Sequence, residues 1–177
     1  MRRWSSLVAI SLLIGAALAS DRSGVFLEVP FVKQAPYACG AASIAMVMQY
    51  WHQQADAESI QSELYTPKAR GIYAKDLEGY LNRHAFRTFP LRGTWQDLRE
   101  HLEKGRPLIV ALQPGRGDLH YVVVTGLDWE HDIVLKHDPA QRQLLKQHRA
   151  EFEKEWKGTG NWTLLALPEE TPPSSAP

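Results

Sequence analysis

The sequence predicts an α+β fold, and two observations carry that prediction. The first half reads as helices, one apolar almost all round and others amphipathic, whereas the second half holds successive runs rich in β-branched residues, among them RPLIVAL and HYVVVTGL. Helices first and antiparallel strands second, with a helix packed against the sheet, is the α+β arrangement. A chain of 177 residues, 44% of them hydrophobic and six of them tryptophan, suits one domain with a sizeable core.

The elements follow in order. MRRWSSLVAISLLIGAALAS has two early arginines, an apolar stretch from Leu7 to Ala16, and Ala17-Leu18-Ala19 as an A-x-A site. Residues 1–19 are therefore expected to be a cleaved secretory signal, with mature protein starting at Ser20 in the periplasm or outside a bacterial cell. The alternative is an uncleaved membrane anchor, but the apolar stretch is short of the ~20 residues a spanning helix needs. Contact with the membrane is expected only if the segment stays attached. Val25 to Val32 reads as a strand ended by turn formers, and Ala41 to Trp51 as a buried helix. Amphipathic helices are expected near Ala57–Tyr65 and Ala74–Ala85. Another starts at Thr94, where Thr94 and Asp97 resemble a capping box and Gly105 stands as the C-cap.

Arg106–Leu112, His120–Leu127 and Asp132–Asp138 read as strands, followed by a short strand at Leu144–Lys146, a helix near Ala150–Trp156 and a last strand, NWTLLAL. The domain is expected to span residues 25–167. Residues 168–177, a polar and proline-rich stretch, are expected to be a disordered tail.

Charge excludes some functions. Lys+Arg and Asp+Glu number 20 each, so no excess points to nucleic acid or an anionic membrane surface. No internal repeat and no Walker-type phosphate loop is present.

The chain has a single cysteine, so no internal disulfide can form, and an exported protein with one thiol has an intermolecular partner, a reactive group or a buried bystander. Cys39 stands at the mouth of the apolar helix, where the positive end of the helix dipole favours thiolate. Gly40, next to it, lets backbone pass close to a substrate. Read alone, Cys39 is equally well a small buried hydrophobe. His120 opens the most apolar strand, and Asp138 closes the next one just before Pro139. Taken singly, they read as a surface histidine and a turn aspartate.

Together they make a pattern. His120 and Asp138 are equidistant from Trp129 in the connecting turn, so antiparallel pairing centred there sets them directly opposite on one sheet face. A carboxylate beside an imidazole fixes its tautomer and supports its charged form, and a cysteine nucleophile needs such a base. Gln34, five residues before the cysteine, carries an amide able to donate to an oxyanion alongside the Cys39 backbone N–H.

Gln34-x4-Cys39-Gly40-Ala41-Ala42, His120-Tyr121-Val122-Val123-Val124 and Asp138-Pro139 resemble the bacteriocin-processing peptidases, papain-like cysteine peptidases that cut leader peptides after a double glycine. The resemblance runs from about Val25 to Leu167. It implies a papain-like fold with the nucleophile helix packed on a C-terminal antiparallel sheet. It also implies Cys39 as nucleophile, His120 as base, Asp138 as its orienting partner and Gln34 as oxyanion donor, acting on a peptide or protein substrate without a cofactor. Ala38 stands where members often carry an acidic residue, and many members are fused to a membrane-spanning exporter; whether this chain has an exporter partner is left open.

Two other classes use the same residues or their neighbours. Thiol amidase or acyl-transfer chemistry on cell-wall peptides would need the same four side chains, and a non-catalytic peptide-binding module would keep the groove alone. His131, Asp132, His137 and Asp138 are close in sequence and of metal-binding type, but His137 and Asp138 alternate to opposite faces of a strand, so no metal is expected.

Overall fold

The computed structural model describes residues 23–169 apart from 116 and 118, so the expected signal segment and all but the start of the expected tail lie outside the described residues. A helix α1 (Cys39–Tyr50) is followed by α2 (Ala57–Leu64), a single 3-10 turn at Pro67–Ala69, and α3 (Ala74–Arg83). The remaining helices are α4 (Trp95–Glu103) and α5 (Arg149–Lys157). The strands are β1 (Gly24–Phe26), β2 (Phe86–Arg92), β3 (Leu108–Leu112), β4 (His120–Asp128), β5 (Ile133–Asp138), β6 (Arg142–His148) and β7 (Trp162–Pro168). They form one seven-stranded antiparallel sheet in the order β2-β7-β3-β4-β5-β6, with β1 on β4.

Alternation along the central strands gives the sheet two apolar faces. Tyr121, Val123, Ile109, Ala111, Leu164 and Ala166 face α1, which is buried from Gly40 to Met48 because α2 and α3 cover its outer side. Val122, Val124, Leu108, Val110 and Leu165 face the other way, onto Leu98 and Leu102 of α4 and Phe152 and Trp156 of α5. The sheet is thus covered on both faces, where one packed helix was expected. The α4 capping box forms as read: Thr94 Oγ1 accepts from the Asp97 N–H at 3.1 Å and Asp97 Oδ2 accepts from the Thr94 N–H at 2.8 Å. Gly105 follows the last turn of that helix in the left-handed region, φ 71°, as a helix-ending glycine does.

Several boundaries differ from expectation. The strand expected over Val25–Val32 is only Gly24–Phe26, after which the chain runs without ladder pairing to α1. Helix α1 begins at Cys39 itself, two residues before the expected start. Strand β2 was not expected. Its sequence, FRTFPLR, interrupts an alternating pattern with charges and Pro90, and it survives because β2 is the sheet's edge, where a missing N–H costs no ladder bond. Strand β6 runs from Arg142 to His148, longer than the three residues expected.

The β4–β5 pairing carries a correction with consequences for the site. Asp128 pairs with Ile133 and Gly126 with Leu135, but Val124 pairs with Lys136, so Thr125 is an extra residue that shifts the register. Gly126 lies at this bulge: a Cβ there would sit 2.5 Å from the Val25 carbonyl oxygen, so the close approach of β1 requires glycine.

Candidate active site

Cys39 is the first residue of α1, half-buried at the edge of the core. Ala38 at the N-cap has no side chain to bond the first N–H groups, and the first turn holds no acidic residue. The positive end of the helix is therefore open toward the thiol, which favours a negative charge there. Gly40 is needed for contact: a Cβ would lie 3.3 Å from Ile72 and 3.4 Å from Tyr121, so the helix mouth fits tightly between the loop before α3 and strand β4.

His120 begins β4 and Asp138 ends β5. They are not directly opposed, as the turn-centred reading expects, because the hairpin is centred between Glu130 and His131 rather than on Trp129; the bulge then moves Asp138 from opposite Val123 to opposite Val122 and so onto the face of His120. With Val123 paired to His137, Asp138 falls opposite Val122, one step of two along the same face from His120. That diagonal is within reach of longer side chains. His120 Nε2 bonds Asp138 Oδ1 at 2.8 Å, with side-chain exposures of 19% and 3%. The carboxylate is pinned from other sides as well: Oδ1 accepts from the Ala140 N–H at 3.1 Å and Oδ2 from Gln141 Nε2 at 2.9 Å.

The electrostatics follow from this packing. Burial alone would depress the His120 pKa, but the Asp138 hydrogen bond and charge, with hydrogen bonding and charge from the Cys39 thiol, outweigh it and push the imidazole up to about 9. Burial alone would raise the Asp138 carboxyl; the His120 hydrogen bond and charge, Lys136 and the Ala140 N–H hold it below the ordinary carboxylate range. The two shifts agree in sense, each partner favouring the other's charge. With Nε2 committed to Asp138, Nδ1 is the ring nitrogen left for the thiol.

Gln34 arrives on the unpaired segment between β1 and α1. Its backbone N–H donates to the Pro139 carbonyl at 3.0 Å, which sets it beside Asp138, and its side-chain Oε1 is buried without a partner. Oε1 is an acceptor, so that atom awaits a donor, while the Nε2 end of the amide is the one able to serve an oxyanion.

Residues beyond these four shape the site. His137 points to the face opposite Asp138 and uses both ring nitrogens, with Nε2 donating to the Val29 carbonyl at 2.8 Å and Nδ1 accepting from the Leu144 N–H at 3.1 Å. It is a structural tie, and burial lowers its pKa. His131 pairs with Asp128 in the turn at 2.9 Å, at the far end of β5 from Asp138. Tyr121 is buried against Gly40, and burial first, then the charge of Cys39, raises its pKa. None of these contacts has a sequence signal, except that a lysine and a histidine inside the apolar strand IVLKHD break its pattern.

The helix that opens on the thiol and the sheet that turns an imidazole toward it define a papain-like architecture, the type found in cysteine peptidases. The chain belongs to the Peptidase_C39 like family, whose model matches residues 26–164. Solved structures agree on the fold. A chain from Bacillus anthracis described as a C39-like peptidase superposes with a TM-score of 0.68 at 21% identity, over 84% of this chain and 99% of that one. The peptidase domain of Streptococcus ComA, a bi-functional ABC transporter involved in a quorum-sensing pathway, gives 0.67 at 21% identity, over 78% and 98%. A double glycine motif protease from an AMS/PCAT transporter, solved in complex with its leader peptide, gives 0.64 at 22% identity, over 81% and 94%. No curated protein matches the sequence.

Proposed function

We propose that the protein is a cysteine peptidase acting on a peptide or protein substrate in the cell envelope. The observation that carries this reading is the buried His120–Asp138 pair, held charged beside the thiol at the open mouth of α1. Cys39 thiolate attacks the scissile carbonyl carbon, and the resulting oxyanion takes hydrogen bonds from the Gln34 amide and the Cys39 backbone N–H. His120 gives its proton to the leaving amine as the C–N bond breaks, leaving a thioester. The neutral imidazole then takes a proton from water, whose oxygen attacks the thioester and releases the acid and the thiolate. Asp138 orients the ring and balances its charge throughout.

Exposed Tyr37 and Tyr73 stand beside the helix mouth, one two residues before Cys39 and the other next to Ile72, and offer aromatic surface to a peptide chain. Peptide recognition is also supported by likeness to the fold that was solved with a leader peptide.

A peptidyl electrophile, such as a peptide vinyl sulfone, tests the reading. It is expected to add one equivalent at Cys39, found by peptide mapping, with a labelling rate that holds to about the pH of 9 at which His120 loses its proton. Labelling no faster than that of an unstructured thiol overturns the proposal. Product analysis with peptides and muropeptides in parallel separates peptidase from cell-wall amidase activity.

Export is part of the same proposal. Expressed at full length in a bacterium, the protein is expected outside the cytoplasm with Ser20 at its N-terminus by mass spectrometry. Intact Met1 in the membrane fraction would make residues 1–19 an anchor.

A further inference from the structure

Lys136 does not fit the apolar face it occupies. It lies opposite Val124 on the side of the sheet covered by α5, where its neighbours in the strand pattern, Val134 and Val124, belong to the core. Only 4% of its surface is exposed, and among the described residues it is the only buried lysine or arginine. A cation is not placed in such a position without compensation, because burial disfavours its charge.

The compensation is close by. Lys136 shares a strand face with Asp138, two residues on, and both line a cavity of about 250 Å³ together with His120, Gln141, Glu151 and Glu155. The charged and titratable groups that meet Lys136 there are His120 from β4, Asp138 from β5, Lys146 from β6, and Glu151 and Glu155 from α5. Burial lowers the Lys136 pKa, while the charges of Asp138, Glu155 and Glu151 raise it, and Lys136 in turn favours ionised Asp138.

We propose that Lys136 is a positioning residue of the thiol site, a fixed positive charge behind Asp138 that keeps the carboxylate ionised and turned toward His120. The assignment rests on the cysteine-peptidase reading and adds to it a group that touches neither substrate nor the reacting atoms. Without this cation, His120 is left as the partner that balances Asp138 against the two α5 glutamates. Removing a positive charge disfavours the anion and favours the cation beside it, so the ionisations of Asp138 and His120 both move to higher pH.

The test is the pH profile of Cys39 alkylation by iodoacetamide, measured on the full chain as the parent, Lys136→Met and Lys136→Arg. The parent is expected to show a limb near the His120 transition at about 9. Lys136→Met is expected to shift that limb upward by about one pH unit, and Lys136→Arg to keep the parent profile. If Lys136→Met melts far below the parent, Lys136→Gln takes its place with the same readout. A neutral variant whose profile superposes on the parent overturns the assignment. So does an arginine variant shifted as far as the neutral one, since shape rather than charge would then be at work. A parent that alkylates at about pH 6 no faster than an unstructured thiol instead overturns the cysteine-peptidase reading itself.

Discussion

Cys39→Ala and Cys39→Ser are expected to abolish turnover, a loss on the order of 10⁶-fold in kcat, while melting close to the parent. The fold has little stake in the sulfur: Cys39 forms no disulfide, is half-buried and occupies the first helical position. Serine is a sharp test because it keeps the shape and exchanges only sulfur for oxygen. Its hydroxyl nonetheless needs a neutral base to take its proton, and the hydrogen bond and charge of Asp138 favour the protonated imidazole. Thermal melting beside a peptide-cleavage assay reads both halves. A serine variant that unfolds early would favour a buried hydrophobe, and one that turns over would place the nucleophile elsewhere.

Gln34→Ala should lower kcat by about 10²–10³ with KM nearly unchanged, the cost of one oxyanion donor. The variant should fold, because the bond that anchors this residue to Pro139 comes from its backbone N–H and survives the substitution. The oxyanion takes its hydrogen bond from the Nε2 end of the amide, so the substitution removes that donor together with an acceptor, Oε1, that has no partner inside the fold. Steady-state kinetics on a peptide substrate decides. If KM alone rises, Gln34 holds the substrate before reaction and the oxyanion assignment fails.

Much of the architecture was legible because burial imposes patterns on composition. The run from Ala41 to Trp51 could only be a buried helix, and the Val-rich strands could only be central, since both need cover on each side. The α4 capping box was legible because it is local chemistry, complete within four residues. Strand β2 was not, because an edge strand with one solvated side tolerates charges and a proline that erase its signature. The His120–Asp138 contact was read from symmetry about the turn. The turn is centred past Trp129, which broke that symmetry, and the pair still meets because the bulge at Thr125 brings both residues onto one face, a diagonal step apart. Lys136 was beyond reach for a different reason: nothing in a sequence says that a lysine inside a strand is buried beside a carboxylate rather than turned to water.

The chain between β1 and α1 forms no strand, yet it is moored three times to one place. The Leu27 N–H bonds Thr125, the Val29 carbonyl receives His137, and the Gln34 N–H bonds Pro139, all on the hairpin whose arms also bear His120 and Asp138. Gln34, His120 and Asp138 therefore ride as one block, and Cys39 rides on another, the helix. Any shift between the two blocks would change two separations together, sulfur to ring and Cys39 N–H to Gln34 amide, while leaving the other three aligned among themselves. The packing of α1 on Tyr121 and Val123 of β4 is what holds the two blocks in step.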